Sequence, residues 1–280
     1  MQSNTNHLLL GETVFIPDYD KSAFLEKGNP DNAIYFKDLI FKEGTPFAVL
    51  NYNSLLRNQY YGLDLELLKY NKKILLPKPL LTAPLTDEKQ IDDINKLARD
   101  RNQGFQILKP AVQERLGGKE VLPKAYLEDY EFTVHLQHRD YEKGVLISTS
   151  NPKNVIPLKF ANWDRDVSGY QIPFNKITGT YAHLDLDRIV EVAPNIVFLR
   201  IGDDLELDPV GVGKKLINGS GTEMLLKFPY QDKHVATRIP CPRRVKESIV
   251  KNTTQKKSKK ENESQSSNST NKRPIKFKTR

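Results

Sequence analysis

Thr180-Tyr-Ala-His-Leu-Asp-Leu-Asp-Arg-Ile-Val-Glu-Val-Ala193, then Pro194-Asn195, then Ile196-Val-Phe-Leu-Arg-Ile-Gly-Asp-Asp204 is the stretch that decides the fold class. Two apolar runs of strand length, rich in β-branched and aromatic residues, are split by a Pro-Asn turn signal and predict adjacent strands. The same signature recurs outward in both directions. Toward the N-terminus, Glu12–Ile16, Ala33–Phe41, Phe47–Tyr52, Tyr126–Gln137, Gly144–Ser150 and Val155–Phe160 read as short strands, with a tight turn at Lys42-Glu43-Gly44 where glycine supplies positive φ. Toward the C-terminus, Glu223–Phe228 and His234–Ile239 read as the final strands, after a glycine-punctuated connection over Asp208–Gly221.

Helical periodicity is confined to one region. Thr86 is placed as an N-cap, with Asp87 and Glu88 where the helix dipole favours anions. Ile91, Ile94, Leu97 and Ala98 share one face, and Gly104 ends the helix. A second, shorter helix is expected from Pro110 to Gly117-Gly118. No internal repeat is visible. The expected fold class is therefore α+β and β-rich: an antiparallel sandwich or open barrel spanning residues 1–240, with a helical insertion near 86–118.

The formal net charge of +8 is unevenly distributed. Residues 241–280 hold 13 Lys+Arg against 3 Asp+Glu, a balance of +10, while residues 1–240 hold 30 against 32, a balance of −2. The basic residues are Arg243, Arg244, Lys246, Lys251, Lys256, Lys257, Lys259, Lys260, Lys272, Arg273, Lys276, Lys278 and Arg280. With so few apolar side chains, 241–280 is expected to be a disordered basic tail. Cations on a flexible arm release condensed counterions from phosphates, so nucleic acid, RNA or DNA without sequence preference, is the expected partner. An acidic protein partner fits the same charge. Phe277, between Lys276 and Lys278, is placed to stack on an exposed base. Arg243-Arg244, an 11-residue spacer and Lys256–Lys260 also have the layout of a two-part nuclear-import signal.

Candidate chemistry is sparse. If Thr180–Ile189 is extended, His183, Asp185 and Asp187 share one face, a set able to hold Mn²⁺ or Mg²⁺ in a hydrolase or nuclease, with Asp203 and Asp204 close by. Alternation of Leu with Asp equally describes a strand with one wet face. His135, Gln137 and His138 form a second polar group, without a nucleophile tied to them by spacing. Gly211-Val-Gly-Lys-Lys215 fails as a phosphate-binding loop, because Asp208 stands where the first glycine is needed and Lys215 where Ser or Thr is needed. It is expected to be a glycine-rich turn between strands.

One cysteine, Cys241, excludes an intramolecular disulfide and a cysteine-rich zinc site. No stretch has the length and apolarity of a membrane span or the pattern of a secretory leader, so a cytoplasmic or nuclear location is expected. The sequence thus points to a non-enzymatic binding or structural protein without a cofactor, an architecture that viral packaging and transport proteins could use. The alternatives are a divalent-metal hydrolase on the His183 face and a partner-binding scaffold presenting Trp163 or Tyr170.

Overall fold

The computed structural model describes residues 6–137, 139–140, 143–216, 219–228 and 232–269, with the backbone alone at 216 and 259–269. The strands are β1 His7–Leu10, β2 Thr13–Asp18, β3 Ala23–Glu26, β4 Asn29–Tyr35, β5 Ile40–Phe41, β6 Phe47–Asn53, β7 Asn58–Gln59, β8 Asn71–Pro77 and β9 Phe105–Leu108 in the first half. The second half holds β10 Lys124–Leu127, β11 Tyr130–His135, β12 Val145–Ser148, β13 Val155–Pro157, β14 Asn162–Asp164, β15 Gly169–Asn175, β16 Thr180–Tyr181, β17 Ile196–Ile201, β18 Lys233–Val235 and β19 Thr237–Ile239. Helices α1 Leu65–Leu68, α2 Glu88–Asp100 and α3 Pro110–Leu116 belong to the first half, and α4 Asp204–Leu207, α5 Pro209–Leu216 and α6 Arg243–Ser269 to the second. The chain is α+β with sheets dominating, and its strand pairs are antiparallel except for β10 with β18.

The two halves have sheets of similar strand order, although β1 pairs antiparallel with β9 where β10 pairs parallel with β18. Sheet order β4-β3-β2-β1-β9 in the first half matches β13-β12-β11-β10-β18 in the second. The second sheets match as well: β6 is flanked by β5 and β8 and carries the short β7, as β15 is flanked by β14 and β17 and carries the short β16. Each pair of sheets closes on its own core. Phe15, Phe24, Ile34, Leu50, Ile74 and Leu76 fill the first; Phe132, Val134, Leu146, Ile172, Phe174 and Leu199 fill the second. The β-rich body expected over residues 1–240 thus holds two sandwich-like pairs of sheets, each with its own core. The similar strand order escapes the sequence because a half-buried strand specifies only alternation, which unrelated apolar residues satisfy equally well.

The halves are joined by a small apolar cluster, Leu9, Leu108, Val112, Val210 and Leu225, in which α3 and α5 cover the outer side of β1 and β9. Buried ion pairs reinforce it. Lys109 reaches Asp92 on α2 at 2.7 Å and Asp232 beside β18 at 3.0 Å, and Lys233 reaches Asp92 at 2.8 Å. Arg115 on α3 pairs through its two terminal guanidinium nitrogens with the two carboxylate oxygens of Asp208. The α2 helix is placed as the periodicity predicts, although Asp87 rather than Thr86 accepts from the first turn, at Lys89 N. Its Asn95 brackets the free edge of β9, donating to Ile107 O at 2.9 Å and accepting from Ile107 N at 2.8 Å. The helical insertion near 86–118 therefore carries a core strand between its two helices.

Several expected elements differ. The β17 strand is where the sequence places it, but its partners are β15 and β19, with Phe174 opposite Val197 and Phe198 opposite Ile239. Only Thr180 and Tyr181 of the first run form a strand. Asp185 turns the chain: its Oδ1 accepts from Asp187 N at 3.1 Å, and its carbonyl accepts from Ile189 N at 2.8 Å. An aspartate that hydrogen-bonds backbone two residues on competes with a ladder. Residues 211–215 are helical, not a turn, because Asp208 accepts from Gly211 N at 2.7 Å and Pro209 preorganises the first turn. A side chain at Gly211 would meet Asp208 and Arg115, so the glycine admits the ion pair. Residues 223–227 form turns rather than a strand.

Candidate nucleic-acid interface

The basic segment begins as a helix. In α6, Val245, Ser248, Ile249, Asn252 and Thr253 are buried or half-buried and recur at intervals of three and four, which puts them on one stripe. Asn252 anchors that stripe: its Nδ2 donates to Leu186 O at 3.1 Å and Ile189 O at 2.8 Å, the two carbonyls left by the Asp185 turn. The expectation of disorder from 241 is thereby modified at its near end. Average composition conceals five inward positions inside a polar run. We expect Asn252→Ala to leave two half-buried carbonyls without their donor and to lower stability by about 1 kcal/mol, read by chemical denaturation. Limited proteolysis between 243 and 255 should accelerate with it.

Beyond Thr253 the helix leaves the body. Thr254 to Ser258 are all exposed, and the helix runs on to Ser269, roughly 24 Å further at its standard rise. Lys256 and Lys257 therefore stand clear of the sandwiches, and Lys259 and Lys260 follow on the same helix. Arg243, Arg244, Lys246 and Lys251 lie on the docked part and are exposed. Arg243 Nε is 2.7 Å from Glu247 Oε1, whereas Arg244 has no ion-pair partner among the described residues. Lys272, Arg273, Lys276, Phe277, Lys278 and Arg280 lie outside the described residues.

Where α6 meets the body, a cleft of about 580 Å³ opens on the side of β14, β15 and β17 that faces away from the core. Trp163, Asn162, Gln171, His183, Arg243 and Arg244 line it, so two candidates that sequence reading kept apart, the His183 stretch and the basic tail, converge here. Trp163 on β14 is 50% exposed, and Tyr170 steadies it by an edge contact at 5.3 Å. Gln171 is buried and donates to Asp164, whose other oxygen accepts from Asp166 N at 2.8 Å. Burial raises the Tyr181 hydroxyl pKa, keeping that lining group neutral.

His183, Asp185 and Asp187 are all exposed, with Ala182 buried and Leu184 and Leu186 half-buried between them, the alternation of a segment with one wet side. Asp185 is engaged with its own turn and with Arg188 at 3.7 Å. Among the described residues no three His, Cys, Asp or Glu side chains are arranged to hold a metal ion. Asp203 caps α4 by accepting from Glu206 N. His135 sits 2.9 Å from Thr133 Oγ1, and His138 lies outside the described residues.

A second cleft, about 310 Å³, lies where β1, β2 and β3 meet α3 and is lined by His7, Glu26, Lys27, Arg57, Gln113 and Thr222. Arg57 holds the buried Glu26 there at 2.7 Å, and burial with nearby Lys27 pushes the His7 imidazole down to about 4, leaving it neutral. No helix among the described residues is long and apolar enough to cross a membrane. Comparison of the chain with protein-family models, with curated proteins and with solved structures finds no match.

Proposed function

We propose that the chain binds nucleic acid without a chemical step, using α6 as a cationic arm mounted on the sandwich-like body. The observation that carries this reading is the division of α6 at Thr253, with an anchored stripe before it and Thr254 to Ser258 exposed after it. An anchored base holds Lys256 and Lys257 away from the near-neutral body, where phosphates reach them, and Lys259 and Lys260 follow on the same helix. The balance of +10 over residues 241–280 supplies the affinity, and its source in counterion release implies tolerance of sequence.

The test is fluorescence anisotropy of a labelled single strand with the full chain and with the variant Lys256→Gln/Lys257→Gln/Lys259→Gln/Lys260→Gln. Removing four cations should weaken binding at least about tenfold at roughly 0.1 M salt. Equal affinity of the two proteins would exclude α6 as the binding element.

A further inference from the structure

We infer that the first half pairs with a second copy of this chain through the face formed by residues 54–57 and 60–70, an inference independent of the arm. Leu55, Leu56, Tyr61, Leu63, Leu65 and Leu68 are all exposed there, Leu63 to 90% and Leu65 to 75%. They are tied into one surface by the buried Asn53 at the end of β6. Its side-chain oxygen accepts from Leu55 N at 3.1 Å and Leu56 N at 3.0 Å in the turn, and its Nδ2 donates to Leu67 O of α1 at 2.7 Å.

Within one chain α1 lacks the support that so short a helix needs. Four residues are too few to hold by propensity, so stability has to come from an apolar face packed against something. Three of the four are leucine, and none is buried. The second half shows what is missing. There the corresponding connection, between β16 and β17, is held by α6 through Asn252, and its Leu184, Leu186, Ile189, Val190 and Val192 are all half-buried. No described element covers the leucines of α1 in this way.

The charges select a copy over another class of partner. Residues 54–70 hold Arg57 and Lys69 against Asp64 and Glu66, a balance of zero. Glu66 and Lys69 are 2.7 Å apart, Arg57 is 2.7 Å from Glu26, and Asp64 caps α1 by accepting from Glu66 N at 2.9 Å. Such a face has no surplus with which to attract a polyanion or an anionic membrane, and it meets its own copy about a twofold axis without net repulsion. The exposed parts of the six side chains amount to roughly 600–700 Å², taking roughly 200 Å² for a fully exposed large side chain. That reaches the upper end of apolar patches on monomers, about 600 Å², and approaches the roughly 800 Å² that each partner gives to a stable interface.

Sedimentation velocity of the nuclease-treated full chain, between about 1 and 100 µM in about 0.5 M salt, tests the inference. The salt screens bridging by the arm and leaves apolar burial intact. The expected result is a species of twice the 32.1 kDa of one chain that dominates at the higher concentrations. Leu63→Asp/Leu65→Asp should raise the dimer dissociation constant at least about a hundredfold, because each carboxylate would be buried unpaired at the interface. The milder Leu63→Ser/Leu65→Ser should raise it at least about tenfold and carries the test if the charged variant does not fold. Ile177→Asp, at a position 69% exposed in the second half, should leave the dimer intact. A monomer at every concentration, or a dimer that neither double substitution weakens, would overturn the inference. A monomer that binds phosphatidylcholine vesicles through these leucines would give the face to lipid and overturn it equally.

Discussion

Replacing Lys109 by methionine is expected to lower the unfolding free energy by about 3–5 kcal/mol, the cost of breaking a buried ion pair by removing one partner. Lys109 is 1% exposed, and its ammonium lies between Asp92 and Asp232, one from each half of the chain. Burial alone pulls its pKa down; hydrogen bonds and charge from the two aspartates outweigh that, and the net shift is upward, so the ammonium stays charged. Methionine fills similar space but leaves the aspartates facing one another. Asp92 keeps Lys233 at 2.8 Å and Asp232 is partly exposed, which places the loss toward the lower end. Urea denaturation measures it. In the double variant Lys109→Met/Asp92→Leu much of the loss should return, and strict additivity would show that the site is not an electrostatic unit.

Acidification from about pH 6.5 to about pH 4 is expected to cost about 3 kcal/mol through His234 alone. Burial lowers its pKa from 6.5 to about 4; Arg200 pushes the same way, against Glu206 and Asp203. The sign follows from which state takes the proton. Between those two values the unfolded chain binds a proton that the folded chain refuses, so stability is complete above about 6.5 and falls as pH drops toward 4. The local chemistry agrees: Gly202 N donates to His234 Nε2 at 3.0 Å, and protonation of that nitrogen abolishes the acceptor. His7, lowered to about 4 by burial and Lys27, adds loss in the same window. Denaturation midpoints over this range should move less in His234→Gln, whose amide oxygen can still accept from Gly202. An unchanged pH dependence in that variant would assign the effect elsewhere.

What the sequence made legible, and what it hid, follows from the range of the forces involved. Signals set within one turn or one strand were readable: Ile91, Ile94 and Ala98 on the inner face of α2, though Leu97 is exposed, Pro110 opening α3, the Gly44 turn, the strand character of Ile196–Ile201. Pairings between distant segments were not, since the neighbour of β17 is chosen by packing across the core and not by the Pro-Asn turn beside it. The His183 stretch alternates as a strand would, yet Asp185 finds its hydrogen bonds locally and the segment becomes a bracket for Asn252. The cleft was beyond reach for the same reason. Trp163, His183 and Arg244 are remote in sequence and line one cleft where α6 meets the body. The stripe Val245, Ile249, Asn252 was the one signal that could have located that docking, and it lies inside a run whose average composition is that of a disordered arm.

The dependence of affinity on salt tests the central claim most directly. For the full chain and a single strand of about 20 nucleotides, the logarithm of the association constant should fall linearly with the logarithm of salt between about 50 and 200 mM, with a slope of about −3 or steeper, as for five or more neutralised phosphates. In the variant with glutamine at positions 256, 257, 259 and 260, the slope should shrink toward zero by about 3. A slope near zero for the full chain, or one that the four substitutions leave unchanged, would contradict the account.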